Sequence, residues 1–127
     1  MRKKISLSEM EWQILKIIWK DKKTTVKDVW NQLFPEGEKA YTTIQTYMDR
    51  MVDKKILKKE KIGLVNFYEQ LLSEEDALDY ATENLVDRAF QGSFGLLAAY
   101  LIGSHRIKAS DLEKIKKMIK EKEKEIQ

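Results

Sequence analysis

Two groups of side chains in the first half of the sequence have the functional groups that contact nucleic acids. The first is a row of short polar residues with one arginine behind it: Thr42, Thr43, Gln45, Thr46 and Arg50. On a helix these side chains share one face close to the N-terminus, where hydroxyl and amide groups hydrogen-bond to base edges or phosphates and the helix dipole favours anions. The second group is a lysine cluster, whose members are Lys54, Lys55, Lys58, Lys59 and Lys61. Lysines placed beside such a helix displace counterions from a phosphate backbone.

The polar row requires a helix whose opposite face is buried. The spacing predicts this helix over residues 42–54. Its apolar side chains recur at intervals of three and four residues, as on a single core-facing stripe. They are Ile44, Met48, Met51 and Val52. The polar row therefore faces outward from a well-anchored third helix.

Two earlier helices and a β-hairpin complete the predicted fold around this helix. They are, in chain order, a helix over 9–20, a polar break at 21–23, a helix opened by 25–28 and ended by 34–37, and strand-like runs at 56–59 and 64–70 with a turn at 61–63. The capping box of Ser8 and Glu11 supports the start of the first helix. Three helices followed by a hairpin are a winged helix, the helix-turn-helix scaffold with an added wing. We therefore predict a mainly α protein with a winged-helix DNA-binding domain over residues 1–72.

The lysine cluster lies on the predicted wing, beside the polar helix. The first seventy residues hold 15 Lys and Arg against 10 Asp and Glu, whereas the rest hold 9 against 11, so the basic half favours a polyanion. The predicted DNA-binding residues are Tyr41, Thr42, Thr43, Gln45, Thr46, Arg50, Lys58, Lys59 and Lys61. Two roles stay open. Tyr41 either touches a phosphate or caps the helix packing, and Arg50 either clamps a phosphate or pairs with Asp49 or Asp53.

The second half of the sequence predicts helices alone. A fourth helix opens at 73–76, a fifth covers 93–103, and a capping box of Ser110 and Glu113 opens a sixth. The fifth is apolar on nearly every side, and a helix of this kind is buried. We predict a helical dimerisation domain over residues 73–127, in which the contacts with a second copy are made by Leu85, Phe90, Phe94, Leu97, Leu101, Leu112, Ile115 and Ile119. The alternative is that these helices pack against the winged helix of the same chain.

The composition excludes several classes of protein. The sequence has no Cys, which excludes disulfides, thiolate metal sites and thiol nucleophiles, and the single His105 excludes sites with two imidazoles. It has no nucleophile–base pair, Gly-rich phosphate loop or acidic cluster with metal spacing, so we expect no enzyme, no metal and no cofactor. No apolar run approaches the roughly 18 residues of a membrane span. We expect a cytoplasmic protein without membrane insertion.

Several stretches, taken in order, resemble a known family. They are LSEMEW at 7–12, IIW at 17–19, TIQT at 43–46, DRMVDKK at 49–55, the wing, QGSF at 91–94 and SDLE at 110–113. Together they resemble the penicillinase and methicillin-resistance repressors and their copper-responsive relatives. The resemblance implies a dimeric winged-helix repressor that binds a palindromic double-stranded DNA operator, reads it with the third helix and is dimerised by its C-terminal helices.

The sequence also departs from this family. Family members often carry Lys and Arg where this chain has Thr42 and Gln45, so the operator sequence does not follow from the resemblance. Gln pairs bidentately with adenine, which suggests a Gln45–adenine contact. The resistance repressors are cut at an Asn–Phe bond in the fifth helix, and this chain has Tyr100 and Leu101 there. The resemblance suggests the regulatory protease of a membrane sensor as a partner, but the different pair at this position does not support the same cleavage. The C-terminal Cys cluster of the copper-responsive relatives is missing.

Two other functions stay open at this point. The third helix is less basic than many DNA-reading helices, so the winged helix could instead be a protein-docking module with the helical tail as an adaptor. The other function is a DNA-binding protein that senses a small ligand in the apolar helices over 94–102. Salt-independent binding favours the docking module, because phosphate contacts are salt-dependent.

Overall fold

The computed structural model describes residues 5–126, which form six helices and one three-stranded sheet. In chain order these elements are α1 (Glu9–Asp21), β1 (Lys23–Thr24), α2 (Val26–Leu33), α3 (Tyr41–Asp53), β2 (Leu57–Ile62), β3 (Val65–Gln70), α4 (Glu74–Ala89), α5 (Phe94–Ile102) and α6 (Ala109–Ile126). The helices begin and end within a few residues of the predicted positions.

Side-chain caps explain where the first helices begin. The Ser8 hydroxyl accepts from the backbone N–H of Glu11 at 3.2 Å, and the Glu11 carboxylate accepts from the backbone N–H of Ser8 at 2.8 Å. This reciprocal pair is the predicted capping box, which satisfies two donors that the helix leaves free. The hydroxyl of Thr25 caps α2 in the same way by accepting from the N–H of Asp28.

The sheet contains one strand that the sequence did not predict. The strand order is β1-β3-β2 and both pairings are antiparallel. The interpretation of residues 21–23 as a polar break was incomplete, because Lys23 and Thr24 form β1 and pair with Glu69 and Tyr68. Two residues are too few to show the alternation that marks a strand, and the partner strand lies far along the chain.

The turn of the wing begins later in the sequence than predicted. Strand β2 continues through Lys61 to Ile62, which pairs directly with Val65, so the turn is Gly63 and Leu64 and not residues 61–63. Gly63 has a φ of 66°, which L residues rarely adopt and which the first turn position of a type II′ hairpin requires. Lys61 consequently lies in a strand and not in a turn.

The core of the first unit joins the helices to the sheet. Its fully buried members come from α1, α2, α3, β2 and β3, and include Ile14, Ile18, Val29, Ile44, Met48, Met51, Leu57 and Tyr68. Trp19 packs against this core and donates from Nε1 to the carbonyl of Leu72 at 3.0 Å. The face of α3 that the sequence assigned to the core is therefore buried, which holds this helix firmly.

The chain divides into two compact units, residues 1–82 and 83–127, with the division inside α4. The domain boundary after residue 72 stays a prediction. In the second unit the Ser93 hydroxyl caps α5 by accepting from the N–H of Leu96. The predicted capping box of Ser110 is wrong, because Asp111 accepts from the backbone N–H of Lys108 and Ser110 lies inside α6. None of the helices between residues 5 and 126 has both the length and the apolar character needed to cross a membrane.

Candidate nucleic-acid interface

The outward face of α3 presents the predicted polar row. Thr42, Gln45, Thr46 and Arg50 are exposed and Thr43 is half-buried, directly above the buried Ile44 and Met48. The N-cap residue of α3 is Ala40, which makes no side-chain capping bond. The first N–H groups of this helix therefore lack a side-chain partner, an arrangement that suits a phosphate oxygen.

The polar side chains of this face differ in whether they form hydrogen bonds or ion pairs within the chain. The Thr46 hydroxyl donates to the carbonyl of Thr42 at 2.9 Å, one helical turn back, which fixes its rotamer and leaves its lone pairs outward. The Gln45 amide has no hydrogen bond to any residue in 5–126, so both its donor and its acceptor are available. Arg50 forms no ion pair with Asp49 or Asp53, the alternative partners that the sequence suggested.

Tyr41 packs against the preceding helix. Its ring lies edge-to-face with Trp30 of α2 at a centroid distance of 5.9 Å and an interplanar angle of 81°. Trp30 is itself held by a 2.7 Å hydrogen bond from Nε1 to the carbonyl of Lys39. The ring of Tyr41 thus joins α2 to the start of α3, while a phosphate contact by its hydroxyl stays a prediction.

The register of the wing places its lysines on two different faces. Successive strand residues alternate between faces and directly paired residues share one. Lys59 is paired with Tyr68, and Lys61 with Asn66, so both lysines lie on the sheet face that carries Tyr68. We call this the inner face, since Tyr68 contacts α3. Lys58 is paired with Glu69 and lies on the opposite, outer face. The structure thus brings Lys59 and Lys61 to the side of α3, but not Lys58.

Ion pairs balance the charge of the outer face. The Lys58 ammonium lies 3.1 Å from the Glu69 carboxylate, and Lys23 lies 3.5 Å from Glu69 and 3.4 Å from Glu60. The hydrogen bond from Lys58, with the charges of both lysines, lowers the pKa of Glu69. Two lysines and two carboxylates leave this face without a net charge, so it attracts polyanions weakly.

One aspartate connects α3 to the wing. Asp49 Oδ1 accepts a 2.8 Å hydrogen bond from the Tyr68 hydroxyl and lies 3.3 Å from the Lys59 ammonium. Burial raises the pKa of Tyr68, and the hydrogen bond to Asp49 raises it further, so the phenol remains a donor. The sequence interpretation missed this connection, and no local pattern signals it, because the partners lie ten and nineteen residues away.

A second ion pair holds the other end of α3. The Glu11 carboxylate of the capping box is almost fully buried and accepts a 2.9 Å hydrogen bond from Lys54, just after α3. Burial alone would raise the pKa of Glu11, but the Ser8 N–H and Lys54 together lower it below its ordinary value. Lys54 is therefore a structural residue here, whereas Lys55 and Lys61 form no ion pair with the described residues.

The predicted dimerisation residues form an apolar surface on the second unit. Leu85, Phe94, Leu101, Leu112 and Ile119 are exposed in the single chain, while Phe90, Leu97 and Ile115 are half-buried. Helix α5 has no buried residue at all, although its sequence is almost entirely apolar. Exposed apolar area of this extent marks an interaction surface.

The pair that the resemblance aligns with a cleavage site lies near the C-terminal end of α5. Tyr100 and Leu101 are both exposed, and the Tyr100 ring packs on Phe90 at a centroid distance of 5.7 Å. Their peptide bond is helical, so a protease would gain access to it only after local unfolding of α5. Cleavage at this bond is suggested by the resemblance alone. Residues 5–126 contain no group of three or more side chains placed to hold a metal ion.

Comparison with known proteins relates this architecture to one family. The model of the penicillinase repressor family matches residues 7–121. The methicillin resistance regulatory protein MecI of Staphylococcus aureus strain N315 is 20% identical over 120 residues, which are 94% of this chain and 98% of that protein. The penicillinase repressor of Bacillus licheniformis is 22% identical over 121 residues, which are 95% of this chain and 94% of that protein.

A solved structure extends the similarity to the fold. The solution structure of the DNA-binding domain of the repressor BlaI is 30% identical and superposes with a TM-score of 0.51, covering 60% of this chain and 93% of that domain. The prediction of a mainly α protein with a winged helix is thereby confirmed. So is the resemblance described above, since the family match spans both units of the chain. The chain belongs to the penicillinase repressor family.

Proposed function

We propose that this protein is a homodimeric transcriptional repressor that occupies a palindromic DNA operator. Each α3 enters a major groove, and the two half-sites are separated by about one helical turn or a multiple of it. Occupation of the promoter excludes the polymerase. The relatives named as repressors support the regulatory role, and the DNA-binding domain of BlaI supports DNA as the partner.

One observation carries the proposal: the exposed face of α3 presents free hydrogen-bonding groups on a rigid base. Gln45 has both amide groups available, and the helix beneath it is fixed by the buried Ile44 and Met48. Specific base contacts need side chains held in place by such packing. Lys61 on the inner face of the wing supplies a cation without an intramolecular ion pair among residues 5–126. Base discrimination and phosphate attraction thus come from neighbouring elements.

The homodimer is supported by the apolar surface of the second unit. A palindrome has two-fold symmetry, and a two-fold dimer presents the same surface from each copy. The exposed side chains of α5 and α6 are of the type that such an interface buries. A second copy covers them without requiring any other partner.

Salt-dependent binding to duplex DNA tests the proposal. We expect the full-length protein to bind a duplex of about 30 base pairs, with the logarithm of the association constant falling linearly with the logarithm of the salt concentration. Lys61→Gln removes one phosphate contact from each copy of the homodimer, so it lowers the slope by about 1.8 and weakens binding about fiftyfold to a hundredfold near 0.1 M salt. Lys120→Gln, in exposed α6, is the matched control and leaves both quantities unchanged. Equal effects of the two variants would contradict the proposed role of the wing.

The second candidate function is a protein-docking module with a helical adaptor tail. The charge balance of the wing favours it, because Lys58 and Lys59 are each paired with a carboxylate. A module of this kind would not bind duplex DNA at any salt concentration, or it would bind with an affinity that does not change between low and physiological salt concentration. The same titration therefore separates the two functions.

A further inference from the structure

We infer that Asp49 is an affinity-lowering residue that reduces the attraction of this face for DNA of any sequence. Its carboxylate, held in place by Tyr68, cancels the charge of Lys59 on the side of the molecule where α3 and the wing meet. The inference rests on the proposed function, since it concerns how strongly the same face attracts the DNA backbone.

The geometry fixes the carboxylate rather than the lysine. The Tyr68 side chain is only 1% exposed, and its hydroxyl donates to Asp49 Oδ1 at 2.8 Å. A buried hydroxyl that lost this acceptor would be left without a partner, so the hydrogen bond keeps Asp49 turned toward the wing. Lys59 reaches the same oxygen at 3.3 Å from the neighbouring strand β2.

A phosphate that approaches Lys59 therefore meets a neutral pair. The side chain of Lys59 can swing toward a phosphate because it is 38% exposed. The Asp49 carboxylate cannot leave with it and remains beside the phosphate, where its repulsion offsets the attraction of the ammonium. Lys61 lies two residues farther along the same face and has no such carboxylate among the described residues. Two lysines of one strand thus differ in what they contribute.

The consequence concerns the affinity for DNA in general. Phosphate contacts supply nearly all of the affinity for non-specific DNA, whereas contacts with base edges distinguish the operator. A carboxylate that cancels one phosphate contact weakens binding to every sequence by the same factor. The hydrogen bond to Tyr68 in turn fixes the face of α3 that carries Gln45 relative to the wing. The same residue thus lowers general affinity and helps to orient the reading helix.

The experiment measures binding of the full-length protein to a mixed-sequence duplex of about 30 base pairs over a series of salt concentrations. Asp49→Asn keeps an oxygen that accepts from Tyr68 and removes only the charge. We expect this variant to bind about fiftyfold to a hundredfold more tightly near 0.1 M salt, with a salt slope steeper by about 1.8, because Lys59 of each copy then neutralises one phosphate. We expect the single variant Lys59→Gln, which retains Asp49, to have nearly the same salt slope as wild type.

Two controls separate this mechanism from a general loss of negative charge. Asp53→Asn removes the same charge one turn farther along α3, from an exposed carboxylate without an ion pair among residues 5–126, and leaves the slope unchanged. In the double variant Asp49→Asn/Lys59→Gln the gain disappears, because it requires Lys59. Circular dichroism verifies that each variant is folded.

The inference is overturned if Asp49→Asn binds like wild type, if Asp53→Asn produces the same gain, or if the gain persists without Lys59. In each of these cases wild type still binds DNA and the proposed function stands. Absence of any duplex binding by wild type at low salt overturns the proposed function itself and this inference with it.

Discussion

Substituting Phe94 and Leu101 together by Ser is expected to convert the dimer into monomers. Both side chains lie on α5, and the single chain leaves 56% of Phe94 and 47% of Leu101 exposed. Complete burial of one such side chain contributes about 1.5–3 kcal/mol, so covering the exposed half contributes about 1 kcal/mol. Each residue occurs twice in a two-fold interface, so the four side chains together stabilise the dimer by about 4 kcal/mol. The dimer dissociation constant should rise about a thousandfold.

Sedimentation equilibrium over a wide concentration range measures this constant directly. The control is Leu64→Ser at the tip of the wing, which removes a leucine that is 95% exposed but lies outside the second unit. We expect this control to associate like wild type. Retained α-helical circular dichroism in the α5 variant shows that the helix persists. A double variant that dimerises like wild type, or a wild type that is monomeric at micromolar concentration, would contradict dimerisation through α5.

Two further predictions concern stability and base discrimination. Glu11→Gln removes the charge that Lys54 neutralises and should lower the free energy of unfolding by about 1–3 kcal/mol at neutral pH, measured by urea denaturation. Because the folded protein lowers the pKa of Glu11 below its usual 4.5, this stabilisation is present above that pH. It is lost as the pH falls through the lowered pKa, and an unchanged difference at acidic pH would contradict the assignment. Gln45→Ala should reduce the preference for the operator over a mismatched duplex by about 1–3 kcal/mol for each mismatched half-site while leaving non-specific affinity intact, as competition binding would show. An equal loss on both duplexes would place Gln45 at the backbone instead.

Local patterns accounted for the helices and for the exposed face of α3. The spacing of Ile44, Met48 and Met51 assigned the buried stripe, and the opposite face followed because a helix has a fixed period. The capping box at Ser8 was also visible, since both of its partners lie within three residues. These features depend on residues within about one helical turn of each other, so the spacing of residue types in the sequence is enough to predict them.

The arrangement of the wing could not be obtained in this way. Which lysines face α3 depends on the register of β2 and β3, and a shift of one residue would exchange the faces. The turn at Gly63 sets this register, and the sequence interpretation placed the turn too early. The hydrogen bond from Tyr68 to Asp49 joins two residues that lie nineteen positions apart, so it depends on the tertiary packing of α3 against the sheet.

The same limit applies to the second unit. An almost entirely apolar α5 predicted burial, and within the single chain its side chains are instead largely exposed. Periodicity identifies a helix face that must be covered, but it does not distinguish a neighbouring element of the same chain from a second copy. The choice between these two partners therefore depends on association measurements and not on the pattern.

Selection of bound fragments from genomic DNA by the purified protein shows whether the protein reads a palindromic operator as a dimer. We expect enrichment of an inverted repeat, with two half-sites about one helical turn or a multiple of it apart, because two copies of α3 are related by a two-fold axis. The enriched fragments should lose their advantage with Gln45→Ala. Enrichment of a single unrepeated site, or no enrichment over the input DNA at low salt, would contradict a dimer that reads its operator through α3.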